Sequence, residues 1–174
     1  MNLTDPQFGC PSPPGVNQAE WSARQELALA YRLFDHFGWH ELIYNHITVR
    51  VPGEEGRFLI NPCGLMYREI TASNLVKIDL EGRVLSTPPR RVNPAGFVVH
   101  AAVHSFRDDA HAVIHSHTTA GQAVSCQRQG SLPLSFSSVF FHERIAYHNS
   151  KVSLSTATNA AARPGPRSVK RNDP

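Results

Sequence analysis

The stretch Val113-Ile114-His115-Ser116-His117 narrows the architecture most, because it is an apolar run that ends in two histidines one residue apart. On an extended strand alternate side chains share a face, so His115 and His117 point the same way, about 6.5–7 Å apart along the backbone. From there two imidazoles can converge on one divalent metal at about 2.0–2.1 Å per bond. Two ligands are an incomplete set. Zinc takes three protein ligands plus an open position for catalysis, or four for a structural role.

The rest of the chain surrounds that strand with helices and short strands. Asn17 is placed to cap a helix from Ala19 to about Phe37, since Leu27, Ala30, Tyr31, Phe34 and Phe37 recur at helical spacing. Gly38 follows where a C-terminal cap belongs. Strands are expected at 43–50, 57–60, 75–79 and 83–85, around turns at Pro52–Gly56, Asn61–Gly64 and Glu81–Gly82, with Thr71 capping a short helical turn. The Pro-rich loop 86–94 ends in Asn93-Pro94, which suits the start of a helix running to about Phe106, with Phe97, Ala101 and Val103 turned inward. After the strand 112–117, Thr118 caps a helix of roughly Ala120 to Gln127, and Val139–Phe141 reads as a last strand. Meandering strands with helices between them indicate an α+β chain with a mainly antiparallel sheet.

Composition bounds the rest. No run of about 18 apolar residues exists, which argues against a membrane span, and Met1 to Gln18 reads as a flexible leader without a signal pattern. Cys10, Cys63 and Cys126 are odd in number and far apart, which fits a reducing cytoplasm better than a disulfide framework. The pI near 9.0 is a property of the tail. Residues 149–174 carry a net of +4 in a chain whose total is +3, which leaves the body at −1. A nearly neutral body argues against nucleic-acid binding. The tail has almost no large apolar residue, so it cannot offset its ordering entropy and is expected to be disordered.

Few other chemical motifs stand out. His100 and His104 lie four apart, on one face of the expected helix, but without the glutamate of HExxH they read as partly exposed helix histidines. His142 and His148 are the late candidates for a third ligand. Ser116 faces away from its neighbours, and no GxSxG, P-loop or GxGxxG occurs.

The ordered set of a helix, Ile43-Tyr44-Asn45-His46-Ile47-Thr48-Val49-Arg50, Leu59-Ile60-Asn61-Pro62-Cys63-Gly64, Asn93-Pro94-Ala95-Gly96, His100 and Ala112-Val113-Ile114-His115-Ser116-His117 resembles the class II aldolase/adducin family. The resemblance covers roughly residues 19–148. It implies a three-layer α/β/α domain around a mainly antiparallel sheet. It also implies a zinc site in which His115 and His117 are ligands, and a phosphate or substrate pocket lined partly by Asn45 and the turn at Gly64. Zinc in that family polarises the carbonyl of a small, often phosphorylated, substrate. Family members commonly form homo-oligomers.

The departures are equally specific. Where the family's aldolases carry Ser-Ser-Glu, with the glutamate as acid/base, this chain has Pro94-Ala95-Gly96, and Cys63 replaces a hydroxyl residue. No Asn-His-Gly follows His117, although relatives place their third histidine in such a turn. The expectation is therefore an adducin-like branch member: a zinc-dependent lyase or epimerase of weak or absent activity, or a non-catalytic oligomerisation and binding domain. The change of composition near residue 149 suggests a C-terminally truncated or frameshifted reading frame.

Overall fold

The computed structural model describes residues 11–141 and 144–146. The chain divides into two units, Met1–His117 and Thr118–Pro174. The late candidates His142 and His148, the leader before residue 11 and the tail 149–174 lie outside the described residues.

In the first unit, helix α1 spans Gln18–His36, with the Asn17 side chain accepting from Glu20 N at 2.8 Å. An N-cap of this kind satisfies a backbone donor that the helix itself leaves free. Gly38 follows with φ +66°, a conformation that costs glycine nothing and closes the C-terminus. Strands β1 (His46–Arg50), β2 (Arg57–Ile60) and β3 (Val76–Asp79) form the meander, α2 spans Pro94–Phe106, and β4 spans Ala112–His115. The sheet order is β3-β2-β1-β4 and every pairing is antiparallel.

The period-2 alternation of the strands divides the core in two. On one face α1 packs Leu27 and Tyr31 over Ile47, Leu59, Tyr67, Ile70 and Leu75. On the other, Phe97 of α2 closes over Phe58, Ile60, Val76 and Ile78. A helix layer on each side of an antiparallel sheet is the three-layer arrangement expected. Tyr31 also ties α1 to β1, its hydroxyl accepting from Ile47 N at 2.9 Å.

Several element assignments are corrected. The first strand begins at His46 rather than residue 43. Residues 83–85 make only an isolated bridge, Ile78 to Val84, because Asp79 accepts from the Arg83 and Glu81 backbones and turns the chain tightly there. A short 3₁₀ turn at Tyr67–Glu69 was not expected; the Glu69 carboxylate stabilises it by accepting from Met66 N at 2.7 Å.

In the second unit, α3 spans Thr119–Ser125, with the Thr118 hydroxyl accepting from Gly121 N at 3.1 Å. Val139–Phe141 is not a strand. Residues Phe136–Val139 form a helical turn, α4, because Ser135 and Ser138 each accept from the other's backbone N–H, at 2.8 and 3.1 Å. That local capping outweighs the strand preference of Val139 and its phenylalanines where no strand lies alongside among the described residues.

Candidate metal and substrate site

Pairing of β4 with β1 sets His115 directly opposite His46 and Val113 opposite Thr48. Paired residues of an antiparallel ladder share a face, so His115 and His46 both look toward α2. His117, two residues beyond the end of β4, turns its ring back to the same place: the Nε2 atoms of His115 and His117 are 2.7 Å apart. The strand expected over 112–117 stops at His115, so the two rings meet through the turn after β4 rather than by strand alternation.

The second nitrogen of His117 is also occupied. Its Nδ1 donates to the Glu41 carboxylate, a contact between segments 76 residues apart in sequence. A carboxylate that accepts from Nδ1 orients the ring and leaves Nε2 as the nitrogen turned to a metal. The donor chemistry fits two imidazole ligands of one divalent ion. No group of three or more His, Cys, Asp or Glu side chains that could hold a metal occurs among the described residues.

The main correction concerns the helix histidines. His100 and His104 are not partly exposed; they are 0% and 2% exposed, buried between α2 and the sheet. The Thr48 hydroxyl lies between them, 2.7 Å from His100 Nδ1 and 2.9 Å from His104 Nε2. His104 Nδ1 donates to Ala110 O at 3.2 Å, and its ring stacks on Phe58 with centroids 4.3 Å apart. His46 donates from Nε2 to Gly96 O at 3.0 Å. Its ring lies 4.4 Å from that of His100 and stacks 4.8 Å from that of His115. Five imidazoles thus run in sequence from the interior of α2 to the end of β4.

Burial sets their charge. It depresses His46 to about 4, helped by the neighbouring His115. Burial, then His46 and His104, takes His100 to about 3. Burial and the Arg50 guanidinium take His104 to about 4. His115 is lowered by burial and by His117. All four are neutral near pH 7, the protonation state that a ligating or hydrogen-bonding imidazole needs.

The two expected substrate residues are placed differently from each other. Asn45 is buried, its Oδ1 accepts from Glu41 N, and its Nδ2 has no hydrogen-bond partner among the described residues. Gly64 lies in an exposed turn with φ +94°. Asn45 immediately precedes His46 in sequence, and its amide bonds the backbone of the residue whose carboxylate holds His117. Glu41, His46, Thr48, His100 and His104 were not identified as site residues from the sequence. Their partners are 50 to 76 residues away, and the one local signal, the His100/His104 spacing, reads from sequence as a partly exposed helix pair.

The family profile of the Class II Aldolase and Adducin N-terminal domain matches residues 25–169. A class 2 aldolase candidate from Caulobacter vibrioides is 51% identical over 134 residues, 77% of this chain and 52% of the relative. Alpha-adducin from Rattus norvegicus is 47% identical over 135 residues, 76% of this chain and 18% of the relative. Among solved structures, an aldolase II superfamily protein from Pseudomonas syringae superposes with TM-score 0.75 at 44% identity, over 82% of this chain and 59% of that one. L-fuculose 1-phosphate aldolase from Glaciozyma antarctica PI12 superposes with TM-score 0.67 at 33% identity, over 76% of this chain and 55% of that one. The chain spans about half the length of the bacterial relatives it matches. By sequence profile, sequence identity and fold, the chain belongs to the class II aldolase and adducin N-terminal domain family.

Proposed function

We propose that this chain is the metal-binding part of a zinc-dependent lyase or epimerase that acts on a small carbonyl or sugar-phosphate-type compound. The convergence of His115 and His117 Nε2, with Glu41 on the far nitrogen of His117, is the observation that carries this reading. His115 and His117 hold the ion, and Asn45 Nδ2, a buried donor without a partner among the described residues, is offered to a substrate oxygen, with the turn at Gly64 as the second substrate-binding element. Bound zinc supplies Lewis-acid polarisation of a carbonyl. The protein works as a homo-oligomer in the cytoplasm, a compartment that suits the free, exposed thiols of Cys63 and Cys126. No helix among the described residues is long and apolar enough to cross a membrane.

Turnover by this chain alone is weak or absent, because Gly96 offers no carboxylate where the family's aldolases place their acid/base. That substitution, with the similarity to alpha-adducin, favours a second reading: a non-catalytic, adducin-like oligomerisation or binding domain. A zinc titration of purified protein separates the two. Stoichiometric uptake at micromolar affinity or better, lost in His115→Ala, supports the metal-dependent enzyme; no uptake supports the binding domain.

A further inference from the structure

The directions of the buried hydrogen bonds around Thr48 follow from simple proton counting. Ala110 O is a carbonyl and can only accept, so the proton of His104 is on Nδ1. His104 is neutral near pH 7, held down to about 4 by burial and Arg50, so its Nε2 is a lone pair. The Thr48 hydroxyl, 2.9 Å away, must donate to it. A hydroxyl has one proton, so toward His100 it can only accept, and His100 must carry its proton on Nδ1, 2.7 Å from Thr48 Oγ1. The relay therefore ends in a defined way: His100 Nε2 is a lone pair, buried and without a partner among the described residues.

An unmet lone pair in a core costs stability, and apolar side chains at 48 and 100 would fill the same space without that cost. The arrangement serves something other than packing. The ring whose proton it assigns lies against His46, and His46 in turn stacks on His115, the first member of the converging pair.

We infer that Thr48 is a positioning residue for the HxH pair: its hydroxyl assigns the protons of the relay Ala110–His104–Thr48–His100, and the ring so fixed is the backing that holds His46 and, through it, His115. The inference rests on His115 and His117 being a metal-ligand pair, yet its proton pattern exists without any metal. A one-proton donor between two imidazoles also makes a sharp prediction about its two nearest replacements. Serine keeps the hydroxyl; valine keeps the shape and loses the relay.

The experiment combines nitrogen–proton correlation NMR of the histidine rings in metal-free protein with zinc affinity measured against a chromophoric chelator. In the wild type, His100 and His104 are both expected in the Nδ1–H form. Thr48→Ser should keep both tautomers and bind zinc within about twofold of wild type, whereas Thr48→Val should redistribute the His100 proton and weaken zinc binding about tenfold at unchanged stoichiometry. A wild-type His100 protonated on Nε2 overturns the relay, and this measurement stands even if Thr48→Val fails to fold. A folded Thr48→Val protein that keeps wild-type zinc affinity, or a serine variant that loses it, overturns the positioning role. Absence of zinc uptake by the wild type overturns the ligand-pair reading and the positioning role with it, whatever the tautomers show.

Discussion

The imidazole of His46 fills the space that any side chain at position 96 would need. A Cβ built on Gly96 would come within 2.6 to 2.8 Å of the His46 atoms Cε1, Nε2 and Nδ1, and the ring is held there by the Gly96 carbonyl it donates to at 3.0 Å. Real Cβ atoms do not approach a neighbour that closely, so one of the two must move. The histidine is packed against His100 and His115 and has little room to give.

Gly96→Ala should therefore destabilise the protein by about 1–3 kcal/mol, the usual cost of overpacking, although alanine is the better helix former. Urea denaturation measures it, and a stabilised variant would contradict the close approach. It follows that Gly96→Glu alone should not rebuild an acid/base at this position. The His46→Gly/Gly96→Glu double variant should fold better than Gly96→Glu by itself.

Glu41 is expected to matter through His117 rather than through stability. Its side chain is 47% exposed, so its removal costs the fold little. Loss of the carboxylate from Nδ1 should free His117 to change tautomer and lower zinc affinity about tenfold or more in Glu41→Leu, with a smaller effect in Glu41→Gln. Chelator competition read beside the melting temperature distinguishes this from unfolding.

Acid should act on the imidazole cluster in one direction. His46, His100 and His104 have folded values of about 4, 3 and 4, below the ordinary 6.5, so in that interval the unfolded chain binds more protons than the folded one. Stability then rises with pH through the window and is lost as pH falls from about 6.5 toward about 3. Denaturation midpoints at a series of pH values test this; His104→Gln should flatten the slope, and a slope of the opposite sign would falsify the buried, neutral cluster.

Glu20 should be costly to remove. Its carboxylate is 2% exposed and accepts from Arg24 and from Lys77, each at 2.8 Å, tying α1 to β3. Burial alone would raise its pKa, but the bonds from Lys77 and Arg24 outweigh it and hold the carboxyl below its ordinary value. Glu20→Leu takes the shared carboxylate from buried Arg24 and from Lys77, which keeps Glu54 at 3.1 Å, and should cost about 3 kcal/mol in chemical denaturation.

Much of this fold is written in local pattern. The Asn17 cap, the left-handed Gly38 and the Asn93-Pro94 start delimit α1 and α2 to within a residue or two, because each depends on neighbours in sequence. The HxH pair was legible in the local sequence too, although β4 ends at His115 and His117 reaches its neighbour from the turn after the strand rather than by strand alternation. The site beyond that pair was not. Thr48 meets His100 and His104 across 52 and 56 residues, and Glu41 meets His117 across 76, so those contacts exist only after the sheet has formed. Val139 shows the converse error: its strand-like composition lost to two serines whose spacing was already a helix-start signal.

Strand β1 also has to answer to two sets of neighbours at once. Ile47 belongs to the hydrocarbon packing under α1, while His46 and Thr48, one residue to either side, belong to the imidazole row under α2. Tolerance to substitution should therefore switch from residue to residue along a single strand. At 47 the protein reads volume and shape, and another aliphatic side chain will serve. At 46 and 48 it reads where individual hydrogens are placed, and a side chain of the same size is no substitute.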